Sequence, residues 1–256
     1  LLPHFDLPNA ILLFFAAVFA GAMNAVAGGG SFISFPTLLF TGVPAVPANA
    51  TNTVALWTGL AFSGGAFRHH LKVRRTVLFT LVGVSLVGGT AGAILLLHTP
   101  AQTFLRVLPW LMLAATLLFI FGRKLIRPNQ AVPELSTKSI VLASVFQLMV
   151  AVYGGYFGGG MGIVMLAMLT AFGMADIHEM NALKIVLSSA TNGIAVIVFI
   201  ASRAVYWRQA IVMIVGASLG GYFGARYSLR LPQKWVRSFV IAVGCVMTTY
   251  FFLRAY

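Results

Sequence analysis

Apolar residues gather in ten blocks along the chain, at roughly 9–27, 31–42, 48–67, 76–97, 104–122, 139–157, 161–174, 180–202, 209–229 and 235–253. A helix needs about 20 apolar residues to cross a bilayer. Four blocks in each set of five reach that length. The blocks at 31–42 and 161–174 do not, and each follows a run of glycines. Short apolar segments of this kind predict re-entrant elements or half of a broken helix. The pattern predicts an all-α integral membrane protein. Between the two sets lies a polar, proline-bearing stretch with Arg123, Lys124, Arg127, Pro128, Pro133 and Glu134. The expected organisation is a first transmembrane repeat at 1–124, a cytoplasmic linker at 125–137 and a second transmembrane repeat at 138–256. The first block has no basic segment before it, so it reads as a spanning helix and not as a signal peptide.

The two sets correspond residue by residue in places. Gly28-Gly29-Gly30 matches Gly158-Gly159-Gly160, and Asn49-Ala50 matches Asn181-Ala182. Val82-Gly83-Val84-Ser85-Leu86 matches Val215-Gly216-Ala217-Ser218-Leu219, and Pro100 matches Pro232. Matches in the same order over the whole length predict two homologous halves, each with about four transmembrane helices plus one short helix after a glycine-rich break. Transporters built from repeats place their substrate site between the halves near the midplane. The basic loops leave orientation open. Arg68, Lys72, Arg74, Arg75 and the linker mark cytoplasmic loops. Five crossings per half would put Arg226, Arg230, Lys234 and Arg237 inside as well; four would put them outside. Charge favours inverted halves and ten crossings, whereas segment length favours re-entry and eight.

Composition narrows the function. Hydrophobic residues make up 60% and charged residues 8% of the 256 residues, which excludes a soluble domain and a disordered chain. The formal net charge is +13. In this context it reads as cytoplasmic-loop bias and not as nucleic-acid binding, and secondarily as a field that favours anions. The four acids, Asp6, Glu134, Asp176 and Glu179, sit in loops or at helix ends, so an intramembrane carboxylate relay has no parts. Cys245 is the single cysteine. His69-His70 lies in a basic loop and reads as solvated. No metal site, no cofactor and no enzyme signature is expected.

The candidate chemistry lies at the breaks and on the third helix of each half. Gly28, Gly29, Gly30 and Ser31, and Gly158, Gly159 and Gly160, interrupt apolar sequence at a cost of roughly 1 kcal/mol per glycine. A short helix starting after such a break presents N–H groups and a positive dipole end to an anion. Asn49 and Asn52 stand on the third helix of the first half. Asn181, Lys184 and Ser188 step by three and four along its counterpart and so share one face. A lysine at membrane depth costs about 2.5–3.5 kcal/mol, which suits an anion-binding role; snorkelling to the interface is the competing account. Gly216, Gly220 and Gly224, like Gly88 and Gly92, form the small-xxx-small pattern of tight helix contacts. Arg106 and Arg237 read as interfacial anchors.

At these residues the chain resembles the TauE/SafE family of sulfite exporters and related permeases. The resemblance rests on Gly28-Gly29-Gly30 with Phe35-Pro36-Thr37-Leu38 and Gly42, and on Pro47-Ala48-Asn49-Ala50-Thr51-Asn52. In the second half it rests on Gly155-Tyr156-Phe157-Gly158-Gly159-Gly160-Met161-Gly162, Gly173 and Asn181-Ala182-Leu183-Lys184. It covers nearly the whole chain. The second half lacks the proline of Phe35-Pro36 and has Met165-Leu166 nearby. The resemblance implies a multi-pass carrier in a bacterial or archaeal plasma membrane, with sulfite, sulfoacetate, another sulfonate or a small organic anion as substrate. The expected partners are this anion and the lipid bilayer, with no nucleic acid; a homo-oligomer such as a homodimer is left open, as is coupling to protons. The expected function is secondary transport by alternating access, against an anion channel, a membrane-embedded enzyme or an accessory subunit as alternatives.

Overall fold

The computed structural model describes residues 5–26, 29–67, 73–125, 137–172, 174, 176–228 and 233–255. Gly28, His69, His70, Arg68, Lys72, most of the linker and Gly173 lie outside the described residues, so the expectations placed on them have no structural counterpart here. Among the described residues there are ten helices and no strand. These are α1 (Leu7–Val26), α2 (Ser31–Phe40), α3 (Ala45–Phe67), α4 (Arg75–His98), α5 (Ala101–Leu125), α6 (Thr137–Tyr156), α7 (Met161–Ala171), α8 (Ile177–Ala201), α9 (Trp207–Ser228) and α10 (Gln233–Ala255).

Eight helices have 20 to 25 residues, while α2 has 10 and α7 has 11. At 1.5 Å per residue α2 and α7 are each about 15 Å long, half of a hydrocarbon core of about 30 Å. By length and composition alone, three stretches among the described residues could cross a membrane: Leu7–Asn24, Arg75–His98 and Glu179–Ala201. That is fewer than the sequence blocks suggest. In α5, α6 and α10 the apolar stretches described are the shorter Ala101–Leu117, Ile140–Tyr156 and Ile241–Ala255. In α3 the apolar run is interrupted by Asn49, Thr51, Asn52 and Thr53, of which the first three are buried inside the bundle.

The outer surface is apolar. Phe15, Phe19, Phe79, Trp110, Val141, Met149, Ile197, Ile211, Tyr222 and Leu253 are exposed, while Asn49, Thr51, Asn52, Ser85, Gln147, Ser188 and Thr191 are buried. In water this arrangement would forfeit about 25 cal/mol for each Å² of apolar surface left exposed. In lipid it costs nothing, and the protein is accordingly an all-helical multi-pass membrane protein.

Lipid tails give no hydrophobic drive for helix pairing, so close backbone approach takes over. Gly216, Gly220 and Gly224 of α9 lie directly against Phe14, Val18 and Ala22 of α1. A Cβ on Gly220 would run into the Val18 carbonyl, so only glycine fits there. Gly88 and Gly92 of α4 meet Leu148, Ala151 and Val152 of α6 in the same manner. The small-xxx-small reading of both stripes therefore holds as helix contacts.

These contacts also fix directions. Numbers rise together along α1 and α9, and along α4 and α6, so each pair is parallel. Tyr206 N–H donates to Thr51 Oγ1 (3.0 Å), and Gly59 packs on Ala217, so α3 also runs parallel to α9 and hence to α1. Between two parallel helices the chain must return, and α2 lies in that returning connection. By contrast α3 and α8 are antiparallel: Trp57 meets Ser189 and Gly193, while the earlier Thr51 meets Tyr206, beyond the end of α8.

The two short helices sit in different packing. Around α2, Phe32 and Phe35 are fully buried, and Phe35 meets the edges of Phe104 and Phe157 with both ring centroids at 6.1 Å. Around α7, the buried side chains are Met161, Met165, Met168 and Leu169, with Met180, Leu183 and Leu187 of α8.

Candidate functional site

The two glycine breaks solve the same problem in different ways. A helix that stops inside a membrane leaves backbone groups that lipid cannot satisfy. At the first break Gly30 precedes α2 in right-handed helical geometry, and no side chain caps the helix. Phe32 and Ile33 N–H instead donate to the Gly29 and Gly30 carbonyls (both 3.1 Å). Ser34 Oγ donates to Asn52 Oδ1 (2.5 Å) and approaches the Gly30 carbonyl (3.1 Å), and Asn52 Nδ2 donates to Ser31 Oγ (3.2 Å). The Asn52 amide thus ties α3 to the first turn of α2 from both of its ends.

At the second break Gly158 and Gly160 both have φ of +76°, a left-handed conformation that side chains with a Cβ rarely adopt. Met161 and Ile163 N–H donate back to the Gly158 and Gly160 carbonyls (3.3 and 3.0 Å). The Tyr153 hydroxyl donates to the Gly159 carbonyl and closes the turn from the α6 side.

A cavity of about 50 Å³ lies between the breaks. A water needs roughly 10–15 Å³ by that measure, so the space suits a small ion with a few heavy atoms. Its walls come from α1, α2, α3, the second break, α7 and α8. Asn24, Ser31, Thr53, Trp57, Ser188 and Asn192 supply neutral polar groups, and Lys184 supplies the charge. Lys184 Nζ donates to Asn181 Oδ1 (3.0 Å), and its stem lies over Gly162, where a Cβ would touch Lys184 Cδ at 3.4 Å. The bare first turn of α7 thus leaves room for the lysine to lie beside a helix N-terminus. Among the described residues no carboxylate lines the cavity: Asp6 and Asp176 are exposed, and Glu179 is half-buried at the start of α8. Among the described residues no group of three His, Cys, Asp or Glu could hold a metal ion.

The structure brings Ser31, Gly158, Lys184 and Ser188 together on the cavity wall. Gly29, Gly30, Gly159 and Gly160 are buried in the turns behind it. Asn52 is turned onto α2, and Asn181 holds Lys184 from behind. Asn49 is buried and donates through Nδ2 to the Tyr156 carbonyl (2.9 Å), which joins α3 to the last residue of α6. Asn192 continues by one turn the α8 face that carries Lys184 and Ser188, and Thr53 follows Asn52 along α3. Asn24 and Trp57 do not: one precedes the first break in an apolar run, and the other is an aromatic in an apolar helix. Trp57 is held by a hydrogen bond from Nε1 to the Ser189 carbonyl (3.1 Å) and packs on Gly193.

A family described as "Sulfite exporter TauE/SafE" matches residues 13–251. The chain is 29% identical over 243 residues to a probable membrane transporter protein of Haemophilus influenzae, covering 93% of this chain and 92% of that one. It is 30% identical over 242 residues to the probable membrane transporter protein ORF9 of a Sinorhizobium species, covering 92% and 89%. It is 28% identical over 238 residues to the probable membrane transporter protein YfcA of Escherichia coli K12, covering 93% and 87%. No solved structure matches the chain. A profile that runs from α1 to α10, together with relatives that align over nearly their whole length, settles the relationship: this chain belongs to the TauE/SafE family of membrane transporters.

Proposed function

We propose that the protein is a secondary transporter that carries a small sulfur-containing or organic anion, such as sulfite, sulfoacetate or another sulfonate, across the plasma membrane by alternating access. The observation that carries this reading is Lys184: an ammonium group in a small cavity walled by residues between 24 and 60 and between 157 and 192, held by an amide and faced by no carboxylate among the described residues. An ammonium at membrane depth is costly without a role. The family description names sulfite, and the cavity volume suits an ion of that size.

Two homologous halves, 1–124 and 138–256 with the linker 125–137 between them, are part of the same proposal. Exchange of helix pairs supports it. The α1–α9 contact has its counterpart in α6–α4, the α3–α9 contact in α8–α4, and the α2–α3 contact in α7–α8. The antiparallel run of α3 and α8 supports inverted halves with ten crossings. In this reading the Asn49–Tyr156 and Trp57–Ser189 hydrogen bonds join the halves, and rocking about them would open the cavity to either side. Proton coupling would reside in the substrate, since the cavity holds no carboxylate.

The test is saturable flux of labelled sulfite, which is partly the hydrogen sulfite monoanion near neutral pH, and of labelled methanesulfonate in proteoliposomes, with Lys184→Gln in parallel. We expect flux in the wild type and at least a tenfold lower rate in the variant, about 1.4 kcal/mol. Equal rates would remove Lys184 from the site.

A further inference from the structure

We infer that the site takes singly charged anions and discriminates against doubly charged ones of the same shape, which narrows the substrates proposed above to hydrogen sulfite and monosulfonates and sets aside the sulfite and sulfoacetate dianions. The inference deepens the reading of an anion carrier and rests on it. Its basis is charge arithmetic on the cavity wall. Among the described residues Lys184 is the single charged side chain there, and Asn24, Ser31, Thr53, Trp57, Ser188 and Asn192 are all neutral. Among the described residues no helix brings a second cation to the wall.

An anion entering this space loses its hydration and gains the ammonium group, the hydroxyls of Ser31, Thr53 and Ser188, and the amides of Asn24 and Asn192. One negative charge against one ammonium leaves a neutral pair with hydrogen-bond partners around it. A second negative charge would be buried without a countercharge, and an unpaired buried charge is costly in a poorly polarisable interior. Neutral dipoles soften that penalty but do not cancel it. A neutral molecule of the same shape would leave the ammonium as unpaired as in the empty site. Affinity should thus peak at one negative charge. The loaded site would then carry no net charge through the conformational change.

Three small molecules share a tetrahedral sulfur and differ in charge: dimethyl sulfone is neutral, methanesulfonate singly charged and sulfate doubly charged. Binding to the detergent-purified full chain is measured by calorimetry at fixed ionic strength, with Asn192→Lys as a second protein. We expect methanesulfonate to bind at least tenfold more tightly than either of the others. In Asn192→Lys, which adds a cation to the wall, the preference should move toward sulfate by a comparable factor. Sulfate binding as tightly as methanesulfonate in the wild type would overturn the charge inference and leave the anion carrier standing, as would an unchanged preference in a folded Asn192→Lys. Dimethyl sulfone matching methanesulfonate, or no binding by any of the three, would overturn the anion reading itself and this inference with it. The wild-type series decides the matter even where the variant does not fold.

Discussion

The first and second glycine breaks face one another across the same cavity, and they are built from opposite materials. The first is held by neutral side chains and rings. Asn52 bridges Ser31 and Ser34, Phe32 is buried, and Phe35 meets the edges of Phe104 and Phe157. The second is held by left-handed glycines and a tyrosine hydroxyl, and is bedded in methionines. Rings fix geometry, whereas unbranched thioether chains repack at little cost. The charge lies on the side of the second break as well, because Lys184 lies over Gly162 of α7, whereas the Asn52 amide that meets α2 is neutral. In the proposed carrier this contrast would make the α2 side the fixed wall and the α7–α8 side the charged wall that repacks.

The largest expected effect that would break this contrast is at Asn52. Asn52→Ala leaves the Ser31 and Ser34 hydroxyls without their partner across the helices. It should lower stability by about 1–3 kcal/mol in detergent unfolding, with a smaller loss of anion affinity than in Lys184→Gln. Intact stability with collapsed affinity would make the first break a binding element too. Next comes the backbone. Gly160→Ala should cost about 1–2 kcal/mol because its φ is left-handed, and Gly160→Asn less, since asparagine visits that region more readily. At Gly30 both substitutions should fail alike, because any Cβ there meets the Ala20 carbonyl. Equal tolerance of asparagine at the two positions would erase the distinction between the turns. A smaller change is expected for Tyr153→Phe, which removes the bond to Gly159 and should cost about 0.5–1.5 kcal/mol. Hydrogen exchange at the amides of residues 158–161 reads it directly, and equal protection in both proteins would remove the latch. Smallest is Trp57→Phe, at about 0.6 kcal/mol for the lost bond to Ser189. Its clearer readout is the transport rate, which should change if this bond holds the α3–α8 contact shut.

Much of the architecture was legible because it follows from local chemistry. Block lengths separate eight long helices from two short ones, since bilayer thickness sets how many residues a crossing needs. The spacing of Gly216, Gly220 and Gly224 names a helix face before its partner is known. Lys184 stands out because no lysine sits at membrane depth without consequence. The site was less legible. Asn49, Asn52 and Asn181 look alike in sequence, as amides on a third helix. In the fold one binds a backbone carbonyl, one clamps a neighbouring helix and one orients a lysine. An amide can donate and accept in any of these settings, so its type does not say which partner it meets.

The sequence by itself determined the material of this protein: helices of set lengths, breaks at set places, an apolar exterior and one cation at depth. Tertiary structure decided the directions and the cavity. The chain returns between α1 and α3 because both lie parallel to α9, a relation between residues far apart in sequence. Asn24 and Trp57 join the site only because α1 and α3 bring them opposite Lys184. Helix length and composition are properties of neighbours along the chain. Which polar groups are satisfied by one another, and which are left facing a ligand, depends on contacts that exist only once the helices have packed.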